Sequence, residues 1–357
     1  MARARRLTGT PKSHGFSFPP EWARQTAVWF SWPRPEGISF PGRYHEVPEN
    51  LARIVGAIVS RQRVHIIVPN ENWEIIVRQQ LALHGVPLAR VRFFHFPTNE
   101  CWCRDHGPAF VTRRGRGGKR ELAVVDWGYN AWGGKYPPYD ADDAVPERVA
   151  EALGLPWFRT PIVMEGGAVD FNGEGCVLTT ESVLLNENRN PELSKRRIER
   201  ALCEWYGQEK VLWLGDGIEG DDTDGHIDDL ARFLDARTIV TAVEDDPRDP
   251  NHAVLQENLR RLKTLRDAKG RPFDLVVLPM PERLEHDGQR LPATYLNFLF
   301  INGALLVPTF GRNTRTRTAL ARLQAAVPKR DVVGIDCTEL IWGLGAIHCL
   351  TQQQPAV

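Results

Sequence analysis

The sequence predicts an α/β fold built from repeated units, and three observations carry that expectation. Apolar runs of strand length alternate with stretches of helical spacing from residue 27 to the C-terminus. No Pro/Ser-rich linker or low-complexity tract divides the chain. Five times, a polar residue following a glycine or an apolar run opens a strand, a tight turn and a returning strand. The five anchors, Asp105, Glu165, His226, Asn297 and Cys349, are separated by 60, 61, 71 and 52 residues. Roughly equal spacing reads as a repeated unit, and five units closed into a ring would gather the anchors about one axis.

Residues 1–16, basic and then polar, read as a flexible lead, and 17–357 as one domain. Ala-Val-Trp-Phe-Ser-Trp-Pro at 27–33 reads as a buried strand stopped by proline. Leu51, Ile54, Val55 and Ile58 mark a helix over 47–60, which leads into a strand at 64–68 ended by Pro69 and Asn70. A helix over 73–83 and a strand at 91–96 follow. Further helices are expected near 191–206, 250–267 and 314–325, with strands at 211–214 and 275–278. The Arg/Gly stretch 113–120 reads as a solvated hairpin tip. Ile341, Trp342, Leu344 and Ile347 predict a terminal strand that delivers Cys349 into a site, because chain ends are ordered only when they dock.

Forty-five basic and 45 acidic residues give zero net charge, hence no electrostatic footprint for nucleic acid or an anionic membrane. No apolar run is long enough for a membrane-spanning helix, and residues 7–15 lack the apolar core of a signal peptide. Six scattered cysteines read as reduced thiols in a cytoplasmic protein, with Cys176 and Cys203 as core packing. Cys101 and Cys103, near His95 and His106, do not have the spacing of a zinc ligand set, so neither a metal nor a cofactor is expected.

Convergence of Asp105, Glu165, His226, Asp228 and Cys349 would crowd several carboxylates beside a thiol and an imidazole, an arrangement that calls for a cation. A guanidinium suits best, being planar, permanently charged and matched to carboxylates two bonds at a time. Cys349 would attack its carbon, His226 would give and take protons, Glu165 would orient His226, and Asp105 and Asp228 would hold the guanidinium. Blander readings stand beside these. Cys349 alone could be a small buried hydrophobe, and His348 a packed, hydrogen-bonded side chain facing away from it. Asp221, Asp222 and Asp224 form either an Asx-type turn or an acidic rim for a distal ammonium. Asn297 is a pocket residue or a turn former. Trp32, Trp102 and Trp132, beside motif residues, offer aromatic faces for a cation.

Several blocks carry a resemblance. They are Trp-Cys-Arg-Asp-His-Gly-Pro at 102–108, Asn-Ala-Trp-Gly-Gly-Lys-Tyr at 130–136, Glu-Gly-Gly at 165–167, Thr-Thr-Glu at 179–181 and Leu-Leu-Asn-Glu-Asn-Arg-Asn-Pro at 184–191. Gly-Asp-Asp-Thr-Asp-Gly-His-Ile-Asp at 220–228 and His-Cys-Leu-Thr-Gln-Gln at 348–353 complete them. Together they resemble the agmatine deiminase and bacterial peptidylarginine deiminase family over nearly the whole chain. The resemblance implies a single-domain, five-bladed α/β-propeller of the pentein type. It also implies Cys349 as nucleophile, His226 as acid/base, Glu165 as its partner, and Asp105 and Asp228 as guanidinium ligands. Trp102, Trp132, Asn297 and Gly345 are expected to contact substrate.

Three departures from the family pattern concern the choice of substrate: Pro-Arg-Pro-Glu-Gly-Ile-Ser at 33–39, Gly-Leu-Gly-Ala at 343–346, and Asp229 where Asn is common. The expected partner is a small cationic guanidine, agmatine first and free or peptidyl arginine second, and a homodimer is compatible with this reading. Amidinotransfer and non-catalytic guanidine binding are the rival functions.

Overall fold

The computed structural model describes residues 4–357. Its strands fall into five small sheets that share one internal pattern, plus the hairpin Glu285–His286 with Gln289–Arg290. In each sheet two strands pair antiparallel, and a strand reached through a crossover helix adds in parallel. Cys176–Thr180, for example, pairs antiparallel with Asp170–Phe171 and parallel with Lys210–Leu214, with the helix Lys195–Trp205 between the parallel partners. Parallel neighbours need such a crossover, which is why the sequence alternates period-two and helical segments.

The fifth sheet is sewn from both ends of the chain. Thr351–Pro355 pairs antiparallel with Gln25–Ser31, which pairs in parallel with Arg63–Val68 and through it with Val91–His95. The buried Trp29 indole N–H donates to Gln354 Oε1 at 3.0 Å, a side-chain tie beside the backbone ladder. The expected terminal strand therefore exists, but it begins at Thr351. Cys349 and His348 lie in the turn before it, where Thr351 N donates to His348 O at 3.0 Å. Strand alternation thus does not apply to this pair.

Expected helices and strands recur within a few residues. The helix Val47–Val59 carries Pro48 in its first turn and buries Leu51, Ile54, Val55 and Ile58. Asn70 caps Glu71–Leu83 by accepting from Trp73 N, and Asn313 caps Thr314–Ala326 through Thr316 N. The helix expected from 191 starts at Lys195 instead. Asn190, just before it, bonds both backbone groups of Val163 at 2.9 Å, holding this stretch as a loop.

Part of the stretch expected as a flexible lead is docked. Arg5–Arg6 pairs in parallel with Pro156–Trp157, and Phe16 is buried against Phe158. Residues 1–3 of that lead lie outside the described residues. No helix among the described residues is long and apolar enough to cross a membrane.

Candidate active site

Each of the five anchors sits a few residues ahead of a strand of the antiparallel pair in its own sheet, so turns leading into five separate sheets supply the site. The turn before Thr351–Pro355 presents Cys349, and the residues before Leu299–Ile301 present Asn297. Asn297 Nδ2 donates to Cys349 Sγ at 2.9 Å, to Asp229 Oδ1 at 3.0 Å and to Asp228 Oδ2 at 3.3 Å. Its Oδ1 accepts from the backbone N–H groups of His348 and Cys349 at 3.0 and 3.2 Å. One amide therefore fixes both the sulfur and the turn carrying it. The thiol lies 3.6 Å from Asp228 Oδ2.

Asp105, in the short helical turn Cys103–His106, has both oxygens engaged: Oδ1 accepts from Gly167 N and Oδ2 from Trp132 Nε1, each at 3.0 Å. The indole is aimed by a turn with left-handed backbone at Ala131 and Trp132, which Asn130 steadies by accepting from Gly133 N at 2.9 Å. Non-glycine residues hold such angles only when their surroundings over-determine them. Glu165 Oε1 accepts from Arg189 Nε at 2.7 Å, while Arg189 also reaches Asp224 at 2.5 Å.

His226 stands among three carboxylates, its Nδ1 3.7 Å from Asp105 Oδ1 and 4.0 Å from Asp228 Oδ1, its Nε2 3.9 Å from Glu165 Oε2. Both of its ring nitrogens, Glu165 Oε2 and Asp228 Oδ1 are buried without a hydrogen-bond partner among the described residues. Unsatisfied buried polar atoms are rare in folded proteins, and here they face one another in two pairs, Nε2 with Glu165 Oε2 on one edge of the ring and Nδ1 with Asp228 Oδ1 on the other, which leaves Asp228 Oδ1 beside Cys349 with capacity for a polar ligand. Gly167 leaves that space open. A Cβ there would stand 2.5 Å from His226 Nδ1, 2.9 Å from Asp105 Oδ1 and 3.1 Å from Asp228 Oδ2.

The electrostatics follow from the packing. Burial pulls the His226 imidazolium down, but Asp105, Glu165 and Asp228 outweigh it and hold the group at about 10. Burial pushes the Cys349 thiol well above its usual range, and Asp228, Asp229 and Asp105 add to the rise. Asp105 is raised to about 6 by burial, against the pull of His226. Burial pushes Glu165 up, but Arg189 and His226 together outweigh it and hold the group below its usual value. The site accordingly pairs an imidazolium with a thiol and an excess of carboxylates, a field that favours an entering cation.

A cleft of about 690 Å³ leads from the surface to Cys349 and Asp105. Trp102 and Trp132 form its walls, whereas Trp32 is buried and does not line it. Trp102 Nε1 donates to Ser39 Oγ at 2.9 Å, and Ser39 bonds Glu100 in turn. Gly345 lets the indole lie close, since a Cβ there would be 2.5 Å from the Trp102 ring and 3.0 Å from Cys349 Cβ. At the mouth stand Glu100, Glu219, Asp221 and Asp222. Asp221 spends its carboxylate on the backbone N–H groups of Thr223, Gly225 and His226, the Asx-type turn the sequence suggested. Arg290 also lines the cleft and is committed to Asp249 at 2.6 Å and Glu219 at 3.3 Å.

A family profile of the Porphyromonas-type peptidyl-arginine deiminases matches residues 17–355. The chain belongs to this family. The agmatine deiminase of Pseudomonas fluorescens is 36% identical over 374 residues, spanning 98% of each chain. The solved agmatine deiminase of Enterococcus faecalis is 35% identical, covers 99% of both chains and superposes with a TM-score of 0.91. A Cys-to-Ser variant of the C. jejuni agmatine deiminase with substrate bound is 33% identical over 95% of this chain and 96% of its own, at a TM-score of 0.85.

All nine site residues expected from the sequence, Cys349, His226, Glu165, Asp105, Asp228, Asn297, Trp102, Trp132 and Gly345, lie at the inner end of this cleft or on its walls. Sequence reasoning assigned no role to Arg189, Gly167 or Glu100. The first two lie inside quoted family blocks, so adjacency to Asn188 and to Glu165 was the available signal. Glu100 carried none, because its partners Ile38 and Ser39 lie about sixty positions away in the chain.

Proposed function

We infer that this protein is a cysteine-dependent guanidine deiminase that hydrolyses agmatine to N-carbamoylputrescine and ammonia. The observation that carries the reading is the nucleophile-bearing end of the cleft, where Cys349, His226, Asp105 and Asp228 stand together with carboxylates in excess of the His226 imidazolium. A guanidinium entering there lies between Asp105 and Asp228 and lowers the pKa of the Cys349 thiol, whose proton is lost on binding.

The thiolate then attacks the guanidinium carbon, and imidazolium His226 gives its proton to the departing nitrogen. The C–N bond breaks, ammonia leaves, and an S-alkyl-thiouronium remains. Neutral His226 next takes a proton from water as the oxygen adds to that carbon. The C–S bond breaks, the ureido product forms with loss of its extra proton, and thiolate and imidazolium are restored. Glu165, held by Arg189, keeps His226 charged and oriented. Rate enhancement comes from positioning and from a field already arranged around the tetrahedral centre.

The mouth favours agmatine over arginine. Glu100, whose carboxylate is met by neutral donors, Ser39 Oγ and the Ile38 N–H, suits a distal ammonium, whereas an α-carboxylate would meet that carboxylate and an arginine already paired twice. We further propose that residues 17–357 form one catalytic unit in which the five sheets close as a five-bladed propeller of the pentein type. The matching strand pattern of the sheets and the anchor before each support this. Six free cysteines support a cytoplasmic location.

The test is a parallel assay of ureido product and ammonia with agmatine, free arginine and an arginyl peptide. Turnover of agmatine, lost in Cys349→Ser while binding persists, is expected. Absence of turnover with a Cys349 that still alkylates would overturn the reading.

A further inference from the structure

Two buried groups beneath the site take no part in the chemistry just described. Glu21, ahead of the strand Gln25–Ser31, accepts at Oε2 from His348 Nε2 at 2.7 Å and Arg232 Nη2 at 2.9 Å, and at Oε1 from Phe300 N at 2.7 Å. Arg104 Nη2 lies 3.6 Å from the same carboxylate, and Arg232 Nε lies 3.3 Å from Asp170. The other ring nitrogen of His348, Nδ1, is 2.7 Å from Asp228 Oδ2. Both imidazole nitrogens thus face carboxylate oxygens, so both are placed to donate, and the ring cannot turn without giving up a charged hydrogen bond.

This arrangement divides the labour between the two oxygens of Asp228. Oδ2 takes His348 at 2.7 Å, Asn297 at 3.3 Å and the thiol at 3.6 Å, while Oδ1 is left buried and unpartnered, 4.0 Å from His226 Nδ1. A carboxylate rotates easily about its terminal torsion, so holding one oxygen is what aims the other. We propose that Glu21 and His348 are positioning residues for Asp228, their bridge fixing Oδ2 so that Oδ1 faces the guanidinium. The proposal rests on the functional reading of Asp228 given above. The charge balance agrees with it: burial alone would raise Asp228, and the His348 hydrogen bond, joined by the charges of His226 and Arg232, outweighs that to hold it below the usual carboxylate range. Arg232 and His348 do the same for Glu21 against its own burial.

The experiment measures agmatine binding by calorimetry in a Cys349→Ala background, with Tm recorded for every variant. Binding to the parent tests the functional reading, and the ratio of variant to parent tests the bridge. His348→Leu removes both hydrogen bonds and is expected to weaken binding about 10- to 100-fold. His348→Asn keeps an N–H near the position of Nδ1 without reaching Glu21, and should recover part of that loss, to about the affinity of Glu21→Gln, even where its Tm is lowered. Glu21→Gln should weaken binding about 10-fold. If His348→Leu does not fold, His348→Asn and Glu21→Gln both about 10-fold weaker than the parent sustain the proposal. Affinity in Glu21→Gln equal to the parent, or His348→Asn no better than His348→Leu, overturns it.

Discussion

Replacing Gly167 with alanine adds one methyl group where the structure has least room for it. That carbon would lie 2.5 Å from His226 Nδ1 and 2.9 Å from Asp105 Oδ1. Non-bonded contacts of this kind relax at about 3.5 Å, so the imidazole or the segment carrying Gly167 must move by roughly 1 Å. The backbone angle at Gly167 is one any residue adopts, so the whole effect is crowding. A displacement of ~1 Å in a reacting constellation costs on the order of 100-fold, and overpacking a buried site costs ~1–3 kcal/mol. Gly167→Ala should therefore lower kcat/KM for agmatine about 100-fold and lower Tm by a few degrees. Gly56→Ala serves as control. Its Cβ would meet only Val86 Cγ2 at an ordinary 3.7 Å inside the helix Val47–Val59, so activity should hold while stability rises by ~0.5–1 kcal/mol. A Gly167→Ala enzyme within about threefold of the parent would refute the claim that this space is reserved for the reacting groups.

Further expectations concern the charges. Because burial and three carboxylates raise the Cys349 thiol, iodoacetamide alkylation without substrate should be slow at neutral pH and still climbing above about pH 9; a plateau below neutrality would contradict the assignment. Asp105→Asn should weaken agmatine binding about 10- to 100-fold yet speed that alkylation, since a negative neighbour of the thiol is gone. His226 is raised to about 10 in the folded protein, so its contribution to stability is complete below about pH 6.5 and is lost as pH rises through about 10. The Tm of the parent should fall across that window, and His226→Asn should flatten the fall. Trp132→Phe leaves Asp105 Oδ2 without its donor and should raise KM about 10-fold and lower Tm by a few degrees.

Helix and strand positions were legible because each packs one apolar face on a buried surface: Leu51, Ile54, Val55 and Ile58 repeat at helical spacing, and the strand residues 64–68 run apolar. Where expectation and structure part, hydrogen bonds that periodicity does not record intervene. Asn190 holds its loop against Val163 and delays a helix, and a backbone bond from Thr351 to His348 keeps the cysteine in a turn. The basic opening stretch looked solvated, yet Arg5 and Arg6 spend their backbone on a sheet edge, a use that composition does not record.

What the sequence by itself determined is the chemistry of the site. The five anchors, their spacing and the family blocks name a thiol, an imidazole and paired carboxylates, because reaction roles depend on residue type and each type stands at a recognisable position. Only the tertiary structure decided which charges offset which. Glu21, Arg104, Arg232 and His348 are scattered from residue 21 to residue 348, and a charged side chain read alone belongs on the surface. Their burial is tolerable only because each meets an opposite charge or a hydrogen-bond partner across a sheet boundary. Such pairing is a property of distances between distant segments, which spacing along the chain does not contain.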